Sequence, residues 1–515
     1  MARRTGELEV LWLKLLAMLE EASWTIVRTS LSPLVRDSFD FGCLIYDPEG
    51  RLVAQNTTVA AKIGVYHTLL DSLKEYYPFS SMRPGDVFIS NDPWLTEGHL
   101  YDVSVVMPIF RNGRIVAFVE CIAHLADIGG SLSNTVVDVF GEGLQIPICR
   151  LMSGGEESGE IVRFIEKNVR VPEMVMADLR ALTSCLFVVR DKCTKVVEDH
   201  GLEDFDEVFS EIRERSERAL RAGIRENLRS GTFVGEVRAD GNTENGLRIR
   251  VKATVNDDSV ELDFTGSSEQ AKIGINSCFN YSFGWALFAV RTLTDTSIPN
   301  NAGCFVPVRM FAPPGTVVNP TRPAPVRNRA SIAHFVPQAI YSALSEAAKK
   351  GRIMAESGSP LWVHRIAGHG ARREPVAGTI TYNAGMGARS VADGPSVTSF
   401  PSNTANTPIE VLENEFPIRF AHRGLLDGSG GAGTYRGGRG QRIAFEVMPK
   451  ASLRLLYMHE RTKFPAQGVL GGSSGRPGSA RINGALLPGH GELELREGDR
   501  LELETAGGGG LGPPK

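Results

Sequence analysis

The chain has 515 residues, 42% of them hydrophobic and 23% charged, with a formal net charge of −4. That is long enough for two or three domains around sizeable cores, and too evenly charged to offer duplex nucleic acid or an anionic membrane a basic face. Its seven cysteines include no C-x-x-C pair, which argues against a disulfide framework or a cysteine zinc site and fits a reducing cytoplasm.

In chain order, residues 6–29 predict an amphipathic helix, with Leu8, Leu11, Leu15, Leu19 and Trp24 near helical spacing. Lys14, Glu20 and Glu21 interrupt it, so it reads neither as a bilayer span nor as a signal peptide, and no later segment reaches spanning length. Residues 39–56 read as two short strands around the turn Asp47-Pro48-Glu49-Gly50, which places Asp40 at the start of a hairpin. Residues 65–77 read as a helix whose His67 suits a core or a substrate pocket better than a ligand role.

The most informative stretch runs from Gly85 to Gly130. His-x-x-Asp occurs in it twice, at His99/Asp102 and at His124/Asp127. Between them lie two apolar runs separated by Arg111-Asn112-Gly113-Arg114, and Asn-Gly between such runs signals a type I′ hairpin turn. With Arg111 facing Arg114, facing positions sum to 225, so Asp102 falls opposite Ala123. Asp102 and His124 then lie on opposite faces. Both motifs are therefore expected in irregular backbone beyond the paired strands, where Gly98 and Gly129-Gly130 permit a bend.

Residues 159–199 read as helix with one break at Val171-Pro172, and residues 204–229 as a second helix whose Glu/Arg spacing makes a solvated face. From 233 to 265 the period changes to two, with turns near Asp240-Gly241 and Asp257-Asp258, predicting an antiparallel sheet. Residues 278–294 return to helix, a Pro- and Gly-rich stretch covers 298–325, and 331–350 predict one more helix with His334 near its start. Beyond Pro360, short strands and glycine loops dominate. Gly428 to Gly433 formally matches G-x-G-x-x-G, but a strand-like run follows it where a dinucleotide site needs a helix. The fold class is α+β, with mixed helices and antiparallel sheets, a helix-rich first half around the hairpin and a β-rich C-terminal part. Three parts are expected: 1–230, 231–355 and 356–515.

Imidazole and carboxylate donors together suit Zn²⁺, Mn²⁺ or Fe²⁺ better than Ca²⁺ or Mg²⁺. Three protein ligands with open positions describe a catalytic site more than a structural one. The pattern is short, however. A turn-capping His99, a hydrogen-bonded core His124 and aspartates in ordinary turns fit the same spacing.

Asn91-Asp92-Pro93, the segment from Gly98 to Asp102 and the segment from His124 to Gly130 resemble the signature of the B subunit of the hydantoinase, oxoprolinase and acetone/acetophenone carboxylase superfamily. Further matches include Asp40-Phe41, Gly141 to Pro147, Asn168-Val169-Arg170, Asp263 to Ser267, Pro299-Asn300 and the glycine-rich 429–438 and 507–510. The resemblance implies a divalent transition metal, Zn or Mn with Fe as a further option, held by His99, Asp102 and His124, with Asp40 able to complete the set. It leaves Asp127 as a partner for a ligating imidazole or as a catalytic group on the substrate side. The chain departs from the family pattern at Thr96-Glu97, Tyr101 and Leu125, where glycine, proline and histidine are common.

What the resemblance implies about activity is a two-component enzyme. A hydantoinase A-like partner binds ATP and phosphorylates a carbonyl or bicarbonate oxygen, and this chain completes the reaction. No G-x-x-x-x-G-K-[ST] loop occurs here. ATP-dependent opening of a cyclic amide is expected ahead of ketone carboxylation, within a cytoplasmic hetero-oligomer such as a dimer of heterodimers. A non-catalytic assembly subunit is the reading from a different class.

Overall fold

The structure, a computed structural model, describes residues 5–56, 66–133, 135–241, 243–294, 297–349 and 351–514, without the side chains of Thr5, Tyr66 and His67. The reading of His67 therefore lies outside the described residues. Helices and several sheets make an α+β fold. No helix among the described residues is long and apolar enough to cross a membrane.

The first sheet has seven antiparallel strands in the order Leu52–Gln55, Phe41–Tyr46, Arg114–His124, Asp102–Arg111, Val87–Ser90, Cys149–Ser153, Glu156–Glu157. Its central strands are apolar without alternation because both faces are covered. Val103, Val105, Met107 and Ile109 face a core shared with the helices Thr5–Thr29 and Pro172–Asp199. Val106, Phe118 and Ile122 face a smaller core with Leu69, Leu70 and Leu73 of the helix Tyr66–Tyr76. The break at Val171-Pro172 separates Gly159–Asn168 from Pro172–Asp199, as proline at a first helical turn dictates.

The hairpin turn sits at Asn112-Gly113, both at positive φ, and Arg111 faces Arg114. The register does not continue as the sequence predicts. Ile109 pairs with Ala117 while Phe110 pairs with Ile115, so Val116 is an extra residue. Val116 and Ala117 both pack into the same core, the mark of a β-bulge. Beyond it facing positions sum to 226, and Asp102 lies directly opposite His124. The two side chains thus share a face within the paired strands, and no irregular loop is needed to turn them together.

A second sheet orders Val308–Phe311, Ser259–Asp263, Leu247–Asn256 and Gly231–Ala239, and packs against Phe279–Thr294 and Phe335–Leu344. Burial alternates residue by residue along Leu247–Asn256, as the period of two predicts. The strands read over 233–265 pair antiparallel as expected, and Val308–Phe311, from the Pro- and Gly-rich stretch, adds a fourth strand parallel to Ser259–Asp263. The helix expected over 331–350 is split into Ala330–Ala333 and Phe335–Leu344, with His334 closing the first and opening the second.

The C-terminal strands form two sheets that share one core. Trp362, Ile366, Tyr382 and Leu455 from one pack with Ile443, Phe445, Leu501 and Leu503 from the other. Beside them the glycine segments bond to one another through backbone, with Gly431 N–H donating to Gly508 C=O at 2.8 Å and Gly510 N–H to Ser473 C=O at 2.9 Å. A Cβ on Gly431, Gly437 or Gly508 would land on a neighbouring carbonyl. Close backbone approach within the chain is what these glycines provide.

Candidate metal centre

His99 sits on the loop between Val87–Ser90 and Asp102–Arg111. Asn91 staples that loop: its amide donates to Leu100 C=O at 2.8 Å and to Leu144 C=O at 2.9 Å, and its oxygen accepts Ile146 N–H at 2.6 Å. Gly98, at φ +81°, allows the turn. Asp102 opens one strand and His124 closes the next, while His124 N–H donates to Asp40 C=O at 3.1 Å.

One ligand atom each from His99, Asp102 and His124 lies within 4.8 Å of the others, and all three residues are buried. His99 Nε2 is 3.1 Å from Asp102 Oδ2, and His124 Nδ1 is 3.6 Å from Asp102 Oδ1. Asp40 Oδ2 stands 3.8 Å from His124 Nδ1, close enough to join them. The other nitrogen of His99, Nδ1, is 2.9 Å from the Arg327 carbonyl. Donation there fixes the tautomer and leaves the Nε2 lone pair facing Asp102, the arrangement ligating histidines use. His99 Nε2 and His124 Nε2 have no hydrogen-bond partner among the described residues.

Burial, reinforced by Arg329, holds the His99 imidazolium down to about 4, and burial beside His99 holds His124 well below the usual range. Both rings are neutral near pH 7, the form that coordinates a metal. With His99 Nε2 and His124 Nε2 unpartnered among the described residues, the donors present fit a divalent transition ion.

Around the cluster are two arginines that the sequence did not single out, Arg329 and Arg365. The Arg329 guanidinium pairs with Asp102, comes within 3.9 Å of Glu97 and lies 4.2 Å over the Tyr281 ring. Tyr101 stacks on His124, and Arg365 lies 4.3 Å over Tyr101. A cavity between the hairpin end and the later parts of the chain is lined by Asp40, His99, His124, Arg329, His334 and Arg365, among others. Arg327-Asn328-Arg329 straight after the proline-rich stretch was the available signal, but sequence does not distinguish a buried arginine from a solvated one.

Asp127 stands apart from the cluster and from the cavity lining. Its two oxygens accept Arg170 N–H at 2.5 Å and Arg170 Nη1 at 2.6 Å, and Arg170 also bonds the Gly130 carbonyl. A second convergence of ligand atoms, Cys43, Cys121 and Cys185, joins thiols far apart in sequence inside the apolar core. C-x-x-C spacing could not reveal it.

The structure is an α+β protein with a buried imidazole–carboxylate cluster at the end of a bulged hairpin. The chain belongs to the hydantoinase B/oxoprolinase family, whose pattern matches residues 5–514. It is 31% identical over 508 residues to MJ0963 of Methanocaldococcus jannaschii, covering 96% of this chain and 88% of that one. It is 25% identical over 521 residues to caprolactamase subunit beta of Pseudomonas jessenii, covering 96% and 88%. Several longer relatives are matched over only about 40% of their length. The crystal structure of the ATP-dependent caprolactamase from Pseudomonas jessenii superposes with a TM-score of 0.92 at 22% identity, over 100% of this chain and 92% of that one. A nucleotide-free acetone carboxylase superposes with a TM-score of 0.86 at 20% identity, over 99% and 76%.

Proposed function

We propose that this chain is the metal-binding B subunit of a two-component, ATP-dependent cyclic amide hydrolase, which opens a ring amide that an A-like partner activates by phosphorylation. The observation that carries the reading is the convergence of His99, Asp102 and His124 with Asp40 beside them. The caprolactamase subunit beta, matched nearly end to end, favours the hydrolytic branch over ketone carboxylation.

A Zn²⁺ or Mn²⁺ ion held by these residues would supply Lewis acidity towards the ring carbonyl or an attacking water. The chain's own part is preparatory. The Arg327 carbonyl holds His99 in the ligating tautomer, Arg329 orients Asp102, and Tyr101 fixes the plane of His124.

The test is co-expression with the A-like partner, followed by ATP hydrolysis over hydantoin, 5-oxoproline, larger lactams, acetone and acetophenone, with and without bicarbonate. Lactam-dependent turnover without bicarbonate is expected, and none from this chain alone. His99→Ala and His124→Ala should each lose bound metal and nearly all activity while keeping the wild-type circular dichroism. Stoichiometric metal and normal turnover in both variants would overturn the reading, and a bicarbonate requirement would move it to the carboxylase branch.

A further inference from the structure

The cavity beside the cluster has a second wall, built by the C-terminal half. Strands Trp362–His369 and Pro375–Tyr382 pair with Val363 opposite Thr381 and Arg365 opposite Thr379. Directly opposed residues share a face, and successive pairs two apart share it too. All four residues line the cavity.

On this wall Arg365 is fully buried. Nη2 donates to the Arg327 carbonyl at 3.0 Å, whereas Nε and Nη1 have no hydrogen-bond partner among the described residues. Thr379 Oγ1 opposite it, and both ring nitrogens of His334, are likewise buried without a partner. Two nearby carboxylates are committed to other partners. Asp102 takes Arg329, and Glu142 accepts the backbone N–H groups of Val326 and Arg327 at 3.0 and 2.9 Å. Burial lowers Arg365 only to about 10, so the guanidinium stays charged at neutral pH.

A buried cation with unmet donors is costly unless an anion completes it.

We infer that Arg365 and Thr379, with His334, form an oxyanion subsite that holds a phosphoryl or carboxylate group of the substrate next to the metal ligands. The inference rests on the metal reading for the ion beside the anion, and on the unmet donors of the wall alone for its location. Arg365 is then a substrate-positioning group, and the C-terminal sheet supplies specificity where the N-terminal sheet supplies the ion.

The test uses the full chain loaded with Mn²⁺, with inorganic phosphate and acetate as separate probes. Binding is read by calorimetry and by Mn²⁺-induced relaxation of the ³¹P or ¹³C signal. Wild type should bind at least one anion close to the ion. Arg365→Met should weaken that binding by about tenfold or more at unchanged Mn²⁺ content, with Arg365→Lys in between and Thr379→Val weakened less. Whichever probe depends on Arg365 names the group, phosphoryl or carboxylate. Equal anion affinity in wild type and in folded Arg365→Met and Arg365→Lys, or no binding of either anion to the loaded chain, would overturn the subsite. Failure of the metal reading is separate: wild type would then take up no Mn²⁺, and calorimetry on the metal-free chain would still report whether the anion needs Arg365.

Discussion

Asp127 and Glu97 show how one residue's role depends on its partner. Asp127 repeats the His-x-x-Asp spacing, and spacing alone makes it equivalent to Asp102. Its oxygens instead clamp Arg170, which in turn holds the Gly130 carbonyl. Asp127→Asn should therefore leave metal content unchanged and lower stability by about 1–3 kcal/mol, since Arg170 is one-third exposed and the loss is partly screened. Calorimetric melting and metal analysis check this; a collapse of turnover at unchanged melting temperature would make Asp127 a catalytic group. Glu97 stands where the family pattern commonly has glycine, and it is completely buried near Arg329. The departure was legible in the sequence. Its meaning, a carboxylate added to the site, required the fold, because Arg329 lies more than two hundred residues away.

Among the elements, the hairpin was readable to within one residue. Asn112-Gly113 fixed the turn, but the run from Ile115 to Val119 is apolar throughout and carries no alternation that could reveal the extra residue at Val116. That one residue changes the facing of Asp102 and His124. Helices and strands with strong periods came through with ends shifted by a residue or two, for instance 206–227 against an expected 204–229. The split at His334 did not, because apolar residues continue on both sides of it. The loop carrying His99 depends on Gly98, where a Cβ would meet Arg329 Cδ at 2.8 Å and Tyr281 Cβ at 3.0 Å. Gly98→Val adds bulk at a positive φ and pushes Arg329 away from Asp102. Metal affinity should fall by about 10–100-fold, the range for lost support of a ligand, with the far-ultraviolet spectrum unchanged. Full metal occupancy in Gly98→Val would show that the loop is not held by this contact.

The molecule as a whole closes the site with residues from Leu34 to Thr404, so the cavity exists only when the hairpin sheet, the segment around His334 and the C-terminal sheet pack together. That packing buries several histidines in the neutral form. Burial holds His364 down to about 3, and His334 to about 3 with Arg329 adding to the effect. In the unfolded chain these rings protonate near pH 6.5. Between about 6.5 and 3 the unfolded state thus binds more protons than the folded one, and stability falls as pH drops through that window. His364 is the one to test because it lies away from the metal ligands, its ring meeting His459 Nε2 at 2.8 Å on the far side of the strand from Arg365. His364→Gln keeps a polar partner for His459 and removes one titrating group. The acid-side slope of unfolding free energy against pH, measured by denaturant titration from pH 7 to 4, should lose about one proton in this variant. An unchanged slope would mean that His364 is protonated in the native protein, and burial would then not be what sets its charge.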